Sequence, residues 1–379
     1  MSLLHPYFLI PAILLLYLSF MEVYGNKKPS LKYLYYFGAW FSIVAGLRYY
    51  VGADYGAYKG IYLFYSNDFP YSEILKKSIY MDSNVYMEWL YVLINKILLD
   101  VFKAPFHILT FLIAIITIFT NYNYIKENSF YPYTYIILLM FPNFFIGECG
   151  QIRQNMGGAL GYYAIRYIKE RNLPMFLLFI HLAGGIHNVC YLLLPMYWLV
   201  KIPLNKFIMA LLFTTSVILS PFHIYNYFGS FLDSIMPNSD AVNTFNGYMS
   251  DTVERINGGF GLPEFIISIF VIILFTFDTQ MKEKLPYYEY FRNYSVIGVC
   301  FYFIFRDNPI YSSRLTGIFI AASGMVIVNA LYVANTQIKK FLYAYLVFSI
   351  LFNFVIFSSF KNITKGNFTF DRYRNVLLP

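Results

Sequence analysis

Over 379 residues the chain is 59% hydrophobic and 22% aromatic, with only 13% charged side chains, about half the charge of an ordinary soluble domain. That composition excludes a soluble enzyme or a nucleic-acid binder. The +8 net charge sits in short loops between apolar runs, where Lys and Arg report orientation in a membrane, and the three cysteines, Cys149, Cys190 and Cys300, have neither disulfide nor metal spacing.

A bilayer crossing needs about 20 apolar residues. In chain order such runs predict helices over 7–24, 33–47, 106–124, 133–148, 155–168, 173–184, 188–200, 207–220, 262–278, 291–305, 314–335 and 341–358. The expected fold is therefore all-α and polytopic, with roughly twelve transmembrane helices plus interfacial or re-entrant ones, in a single membrane domain over 1–379. The first run, "YFLIPAILLLYLSFMEVY", has no basic region before it and no small-residue cleavage site after it, so it does not read as a cleaved signal peptide.

Basic loops at 26–32, 169–172, 201–206, 281–284 and 339–340 are assigned to the cytoplasm by the positive-inside rule. Alternation then brings 48–84, 147–154, 184–188, 221–261 and 306–313 to the outer side. A crossing by 85–102 would invert everything after it. In that segment Glu88, Asn95, Lys96 and Asp100 share one helical face, so it is expected to lie at the outer interface or to re-enter partly. The two short spans that meet at "HLAGGIHN" (181–188) read as half-depth helices, with the glycines breaking the backbone beside a cavity.

Polar residues cluster on the outer side. "GLRYYVGADYGAY" (46–58) places Arg48 and Asp54 in one turn, followed by Tyr58. "GECGQIRQNMGGALGYY" carries Glu148, Arg153 and Gln154, with Gly157, Gly158 and Gly161 suited to close helix packing. His187 stands at the broken tip, and Arg306 and Arg314 flank "DNPIYSS". The long loop 221–261, with Tyr248 and Arg255, reads with 48–84 as a cover for the cavity. A lone arginine at a helix end is ordinarily a snorkelling anchor and a lone Asp before a helix is ordinarily its cap. Several such groups on one side call for a shared ligand.

The Arg-x-x-Val-Gly-x-Asp-Tyr pattern at 48–55, the Arg-Gln pair in "IRQNMGGAL" and the His-bearing "GIHNVCYLLLPMYWL" resemble, in order and spacing, the signature of EpsG-like membrane proteins, over nearly the whole chain. The resemblance implies a GT-C-like architecture and a Wzy-type polymerase of bacterial surface polysaccharide (O-antigen, capsule or exopolysaccharide) in the inner membrane, its site facing the periplasm or exterior. The substrates implied are two polyprenyl-diphosphate-linked glycans, one transferring its chain to a hydroxyl of the other. No cofactor is implied, and with no Asp-x-Asp pair for a metal the diphosphate is expected to rest on arginines.

On this reading Arg48, Arg153 and Arg314 bind the diphosphate, and the base is one of Asp54, Glu148 and His187, with Asp54 favoured. Gln154, Glu148, Arg306, Tyr58, Tyr248 and Arg255 contact substrate. A chain-length regulator and a flippase of the same pathway are the expected partners. A lipid-linked oligosaccharide flippase would need similar cations, but the internal repeat usual in transporters is not visible.

Overall fold

A computed structural model describes residues 6–52, 54–66, 70–74, 79–80, 86–224, 227, 260–356 and 373–377. Each apolar run named above falls on helix. Among the described residues four helical stretches are both long and apolar enough to cross a membrane: Pro6–Tyr24, Phe106–Asn128, Leu262–Lys284 and Tyr311–Val333. Leu173–Ile186, Asn188–Leu199 and Lys206–Phe222 are apolar but shorter. The departure from an all-helical chain, among the described residues, is a pair of two-residue strands, Ile79–Tyr80 against Tyr86–Met87.

Contacts divide the chain into two compact units, residues 1–194 with 334–379, and residues 195–333. In the first, α1 (Pro6–Tyr24) packs on α7 (Pro132–Leu139, continued by a π-helix over Met140–Glu148), and α2 (Lys32–Gly46) packs on α6 (Phe106–Asn128). The latter also carries α8 (Ile152–Tyr163), which lies against α10 (Leu173–Ile186). The shorter elements of this unit are α3 (Tyr55–Gly60), α4 (Tyr71–Ile74), α5 (Trp89–Asp100) and α9 (Ile165–Lys169).

In the second unit α12 (Lys206–Leu219) and α15 (Pro309–Ile320) pack on α14 (Tyr288–Phe305), and α13 (Leu262–Lys284) packs on α16 (Ala322–Val333). The short α11 (Met196–Leu199) opens this unit, and α17 (Thr336–Ile356) returns to the first. The loops 169–172 and 201–206 carry asparagines that cap the next helices. Asn172 accepts from the Met175 amide at 3.2 Å and Asn205 from the Ile208 amide at 2.8 Å, each relieving one of the amides a helix start leaves unpaired.

Two local expectations are corrected. The polar face of 85–102 does not turn to water: Glu88, Asn95 and Lys96 are buried while Val101 and Phe102 are exposed. Lys96 instead pairs with Asp100 at 3.0 Å and donates to the Ser66 carbonyl, because buried charge is tolerated once paired and hydrogen-bonded. With 12 residues, α5 is about 18 Å long, short of a bilayer core.

The second correction concerns Gly184 and Gly185, which do not break the chain. Both are inside α10, and the break comes at His187, whose φ is −153°. The glycines are needed for approach instead: a Cβ on Gly184 would lie 2.4 Å from the Tyr191 ring, and one on Gly185 2.6 Å from the Trp89 ring. Gly157 and Gly161 serve packing as expected, against Cys190 and Leu193, whereas nothing lies within 4 Å of a Cβ on Gly158.

Candidate functional site

The last four carbonyls of a helix have no partner inside it. At the end of α2 all four find one. Ile43 receives the Leu47 amide and the Asn375 side-chain amide, Val44 the Tyr373 hydroxyl at 2.7 Å, Ala45 the Arg48 guanidinium, and Gly46 the Thr110 hydroxyl at 2.5 Å. The chain then pairs briefly with residues 374–376: Tyr49 donates to Arg374 at 2.9 Å and Val376 to Leu47 at 2.8 Å, an antiparallel bridge centred on Arg48 and Asn375. Arg48 is thus fixed from both sides.

Its guanidinium is 1% exposed. Nε donates to the Val51 carbonyl at 3.0 Å and one terminal nitrogen to Ala45, while the other terminal nitrogen has no partner, and among the described residues no carboxylate lies within ion-pair distance. Desolvating an ion costs several kcal/mol even after relaxation, and here no acid offsets it. The turn beneath it requires Gly52, whose φ is +102° and whose Cβ, if present, would lie 2.0 Å from the Cys149 carbonyl oxygen. Only glycine adopts that conformation without strain.

After Gly52 the chain enters α3. Asp54 occupies the position before its first turn but makes no capping hydrogen bond, so the ordinary reason for an aspartate there does not hold. Tyr55 and Tyr58 lie on one face of α3, one turn apart. The Arg48 guanidinium is 5.8 Å from the Tyr55 ring centre, and that of Arg153 is 5.8 Å from Tyr58 and 5.5 Å from Tyr91. One short helix therefore carries the aromatic seats of both arginines. Burial pushes the Tyr58 phenol up, with Arg153 opposing the rise and the Asp54 carboxylate adding to it, which places Asp54 within electrostatic reach of the same ring.

Arg153, in the first turn of α8, pairs with Glu88, and its Nε has no partner among the described residues. The other Glu88 oxygen accepts the Asn188 amide at 3.1 Å, immediately after His187, whose Nδ1 receives the Val189 amide at 3.4 Å. Glu88 thereby ties the Arg-Gln stretch to the His-bearing tip, 65 and 100 positions away in sequence. In the sequence Glu88 is only one member of a polar stripe. A single acid followed by the Trp89 helix carries no signal of a partner that remote.

Other candidates fall elsewhere. Glu148 does not meet Arg153. It ends the π-helix and lines a separate cavity of about 30 Å³ with Asn121, Tyr122 and apolar side chains. Gln154 is half-buried in the first turn of α8. In the second unit, Arg306 is 3.9 Å from both Glu264 and Asp307, and Arg314 is half-buried on α15. Tyr248 and Arg255, with most of 221–261, lie outside the described residues.

Among the described residues the site is thus an arginine with one enclosed nitrogen that no protein group partners, a second arginine held by Glu88, the tyrosine faces of α3 and an aspartate that makes no capping bond. Such an arrangement suits a phosphate-bearing ligand beside a group able to accept a proton. No curated protein and no solved structure matches the chain. A family model does, that of the EpsG family, and because it spans residues 31–374 the chain belongs to the EpsG family.

Proposed function

We propose that this membrane protein is a polymerase that joins polyprenyl-diphosphate-linked oligosaccharide repeat units into a surface polysaccharide, on the outer leaflet of the bacterial inner membrane. Membership of the EpsG family fits a polysaccharide-polymerase-like role. The observation that carries the reading is Arg48, a buried cation with one N–H open and no acid beside it among the described residues, which a diphosphate would complete.

In the proposed step an acceptor hydroxyl oxygen bonds to the donor's anomeric carbon while the bond from that carbon to the diphosphate oxygen breaks. The hydroxyl proton passes to Asp54, and the lipid diphosphate leaves with its charge on Arg48 and Arg153. Arginine suits that task because its planar fork meets two phosphate oxygens and stays charged. The Tyr55 and Tyr58 rings add cation–π attraction that holds the forks in place. His187, set by the Glu88 bridge to Asn188, orients donor or acceptor. Glu148 in its apolar cavity is the less suited base. Arg306, Arg314, Gln154, Tyr248 and Arg255 are proposed substrate contacts, each tested by its own substitution.

Asp54→Asn tests the reading. Purified protein given lipid-linked repeat units, in excess chelator, is expected to polymerise them, and the variant to bind them yet lose about 10²- to 10⁴-fold in rate, the usual worth of general acid–base catalysis. Cells carrying it should accumulate single repeat units on the outer leaflet. Collection on the inner leaflet would make the protein a flippase. Normal polymer length from the variant would remove Asp54 from the mechanism.

A further inference from the structure

Consecutive helices joined by a short loop ordinarily pack on each other, but α1 and α2 do not. With only residues 25–31 between them, α1 packs on α7 and α2 on α6. Towards the far end they touch, the Trp40 indole donating to the Tyr7 carbonyl at 3.0 Å with the rings 5.9 Å apart. Below that contact a wedge opens, a cavity of about 990 Å³. Its walls include Ile10, Leu14, Leu18, Met21, Tyr36 and Phe37, and Ile10, Leu14 and Tyr36 are half or more exposed.

The loop end of the wedge is cationic. Lys27, Lys28 and Lys32 all line it, and among the described residues none has a carboxylate within ion-pair distance. Lys28 and Lys32 lie against the Tyr131 and Tyr33 rings, at 5.5 and 5.6 Å. Glu22, the acid of α1, is taken: its two oxygens receive the Tyr133 and Thr134 amides and the Thr134 hydroxyl. Glu22 acts on Lys28 only beyond ion-pair distance, so three lysines share one distant acid, and an apolar slot with such a basic end matches an amphiphile whose head is an anion.

We propose that this wedge binds an anionic phospholipid, the phosphate on Lys27, Lys28 and Lys32 and the chains along α1 and α2. Basic pockets between membrane helices are suited to anionic head groups. A bilayer lipid fits better than the glycan donor because α2 separates the lysines from Arg48. Lys32 begins the helix and Arg48 follows its end, about 22 Å apart along 15 residues. The site therefore does not depend on the polymerase reading.

The experiment uses the full chain in phosphatidylcholine nanodiscs holding trace spin-labelled phosphatidylglycerol or spin-labelled phosphatidylcholine. Phosphatidylglycerol is expected to show the larger immobilised component. The preference should fall by about fivefold per lysine on changing Lys27→Gln, Lys28→Gln and Lys32→Gln in turn, while Leu14→Trp, which fills the wedge, should release both lipids. High salt should weaken the preference of the unaltered protein, a reading that needs no variant to fold. Equal immobilisation of the two lipids, an unchanged preference in the triple variant, or displacement by polyprenyl phosphate but not by excess phosphatidylglycerol would each overturn the proposal. Arg48→Lys should leave the preference intact, and its loss in that variant would count against an independent site.

Discussion

Among the described residues each unit contains one arginine buried almost completely, and the two are satisfied in opposite ways. Arg292, in the second unit, is 0% exposed. Its nitrogens reach Asn293 at 3.1 Å, Asp278 at 3.4 Å and Glu289 at 3.3 Å, and the Tyr288 ring lies 5.8 Å away. Asn293 in turn donates to the carbonyls of Leu199, Val200 and Ile202, so this arginine sits in a network that ties α14 to the segment after α11. Arg48, at 1% exposed, is held by two carbonyls and the Tyr55 ring, and one of its nitrogens has no partner among the described residues. Burial by itself does not mark a functional residue. What separates the two is whether, among the described residues, the protein supplies the countercharge; on the proposed reading a ligand supplies it to Arg48.

Exchanging the two roles gives the largest expected effect. Arg292→Met leaves Asp278 buried without its cation, and breaking a buried pair in this way costs about 3–5 kcal/mol. The melting temperature in detergent should drop well below that of the unaltered protein while turnover per folded molecule stays near normal. Arg48→Met removes an uncompensated cation and should leave thermal stability nearly unchanged or raised, with polymerisation abolished. If Arg48→Met melts as low as Arg292→Met while the few folded molecules stay active, the contrast fails.

A smaller effect is expected at the bridge between the two remote motifs. Glu88→Gln keeps the shape but takes the charge from Arg153, and truncation of a charge-assisted contact of this kind costs about 2–3 kcal/mol. The expected outcome is a loss of roughly thirtyfold or more in kcat/KM, shared between Arg153 and the His187 tip. A double-mutant cycle with Arg153→Lys should show strong coupling, and simple additivity of the two losses would mean that the ion pair is not what organises the site.

The smallest of the three concerns the segment over 373–377. Asn375 is 2% exposed and donates to Ile43 and Tyr373 while accepting from Leu377. Asn375→Ala should cost about 1–3 kcal/mol for the groups left unsatisfied, and Asn375→Asp, which loses the donor but keeps the acceptor, somewhat less. Because this segment holds the backbone of Arg48, the loss should appear in donor-lipid KM more than in kcat. An effect on stability alone would make residues 373–377 a structural tie.

Much of the fold was legible because membrane helices are local objects. A run of apolar side chains bounded by basic loops must pair its own backbone polar groups in a helix, and the described residues of these runs fall largely on helix in the structure. Where the reading failed, the missing information was a neighbour. The polar stripe of 85–102 says that one face differs from the other, but whether that face meets water or protein depends on what packs there. Gly184 and Gly185 look alike as backbone breakers and as contact points; Tyr191 decided for the first and Trp89, nearly a hundred positions earlier, for the second.

The site divides along the same line. The sequence alone determined membrane residence and the three motif stretches, and it singled out Arg48, Asp54, Arg153 and His187 as candidates, because residue type and helix-end position are local properties. Only the tertiary structure decided the partners. Glu88 rather than Glu148 meets Arg153, Arg48 has carbonyls and no acid, and α3 presents Tyr55 to one arginine and Tyr58 to the other. The physical reason is range: the forces that form a helix act within about four residues, whereas a buried charge takes its energy from whatever group packing brings within a few ångströms, at any distance along the chain.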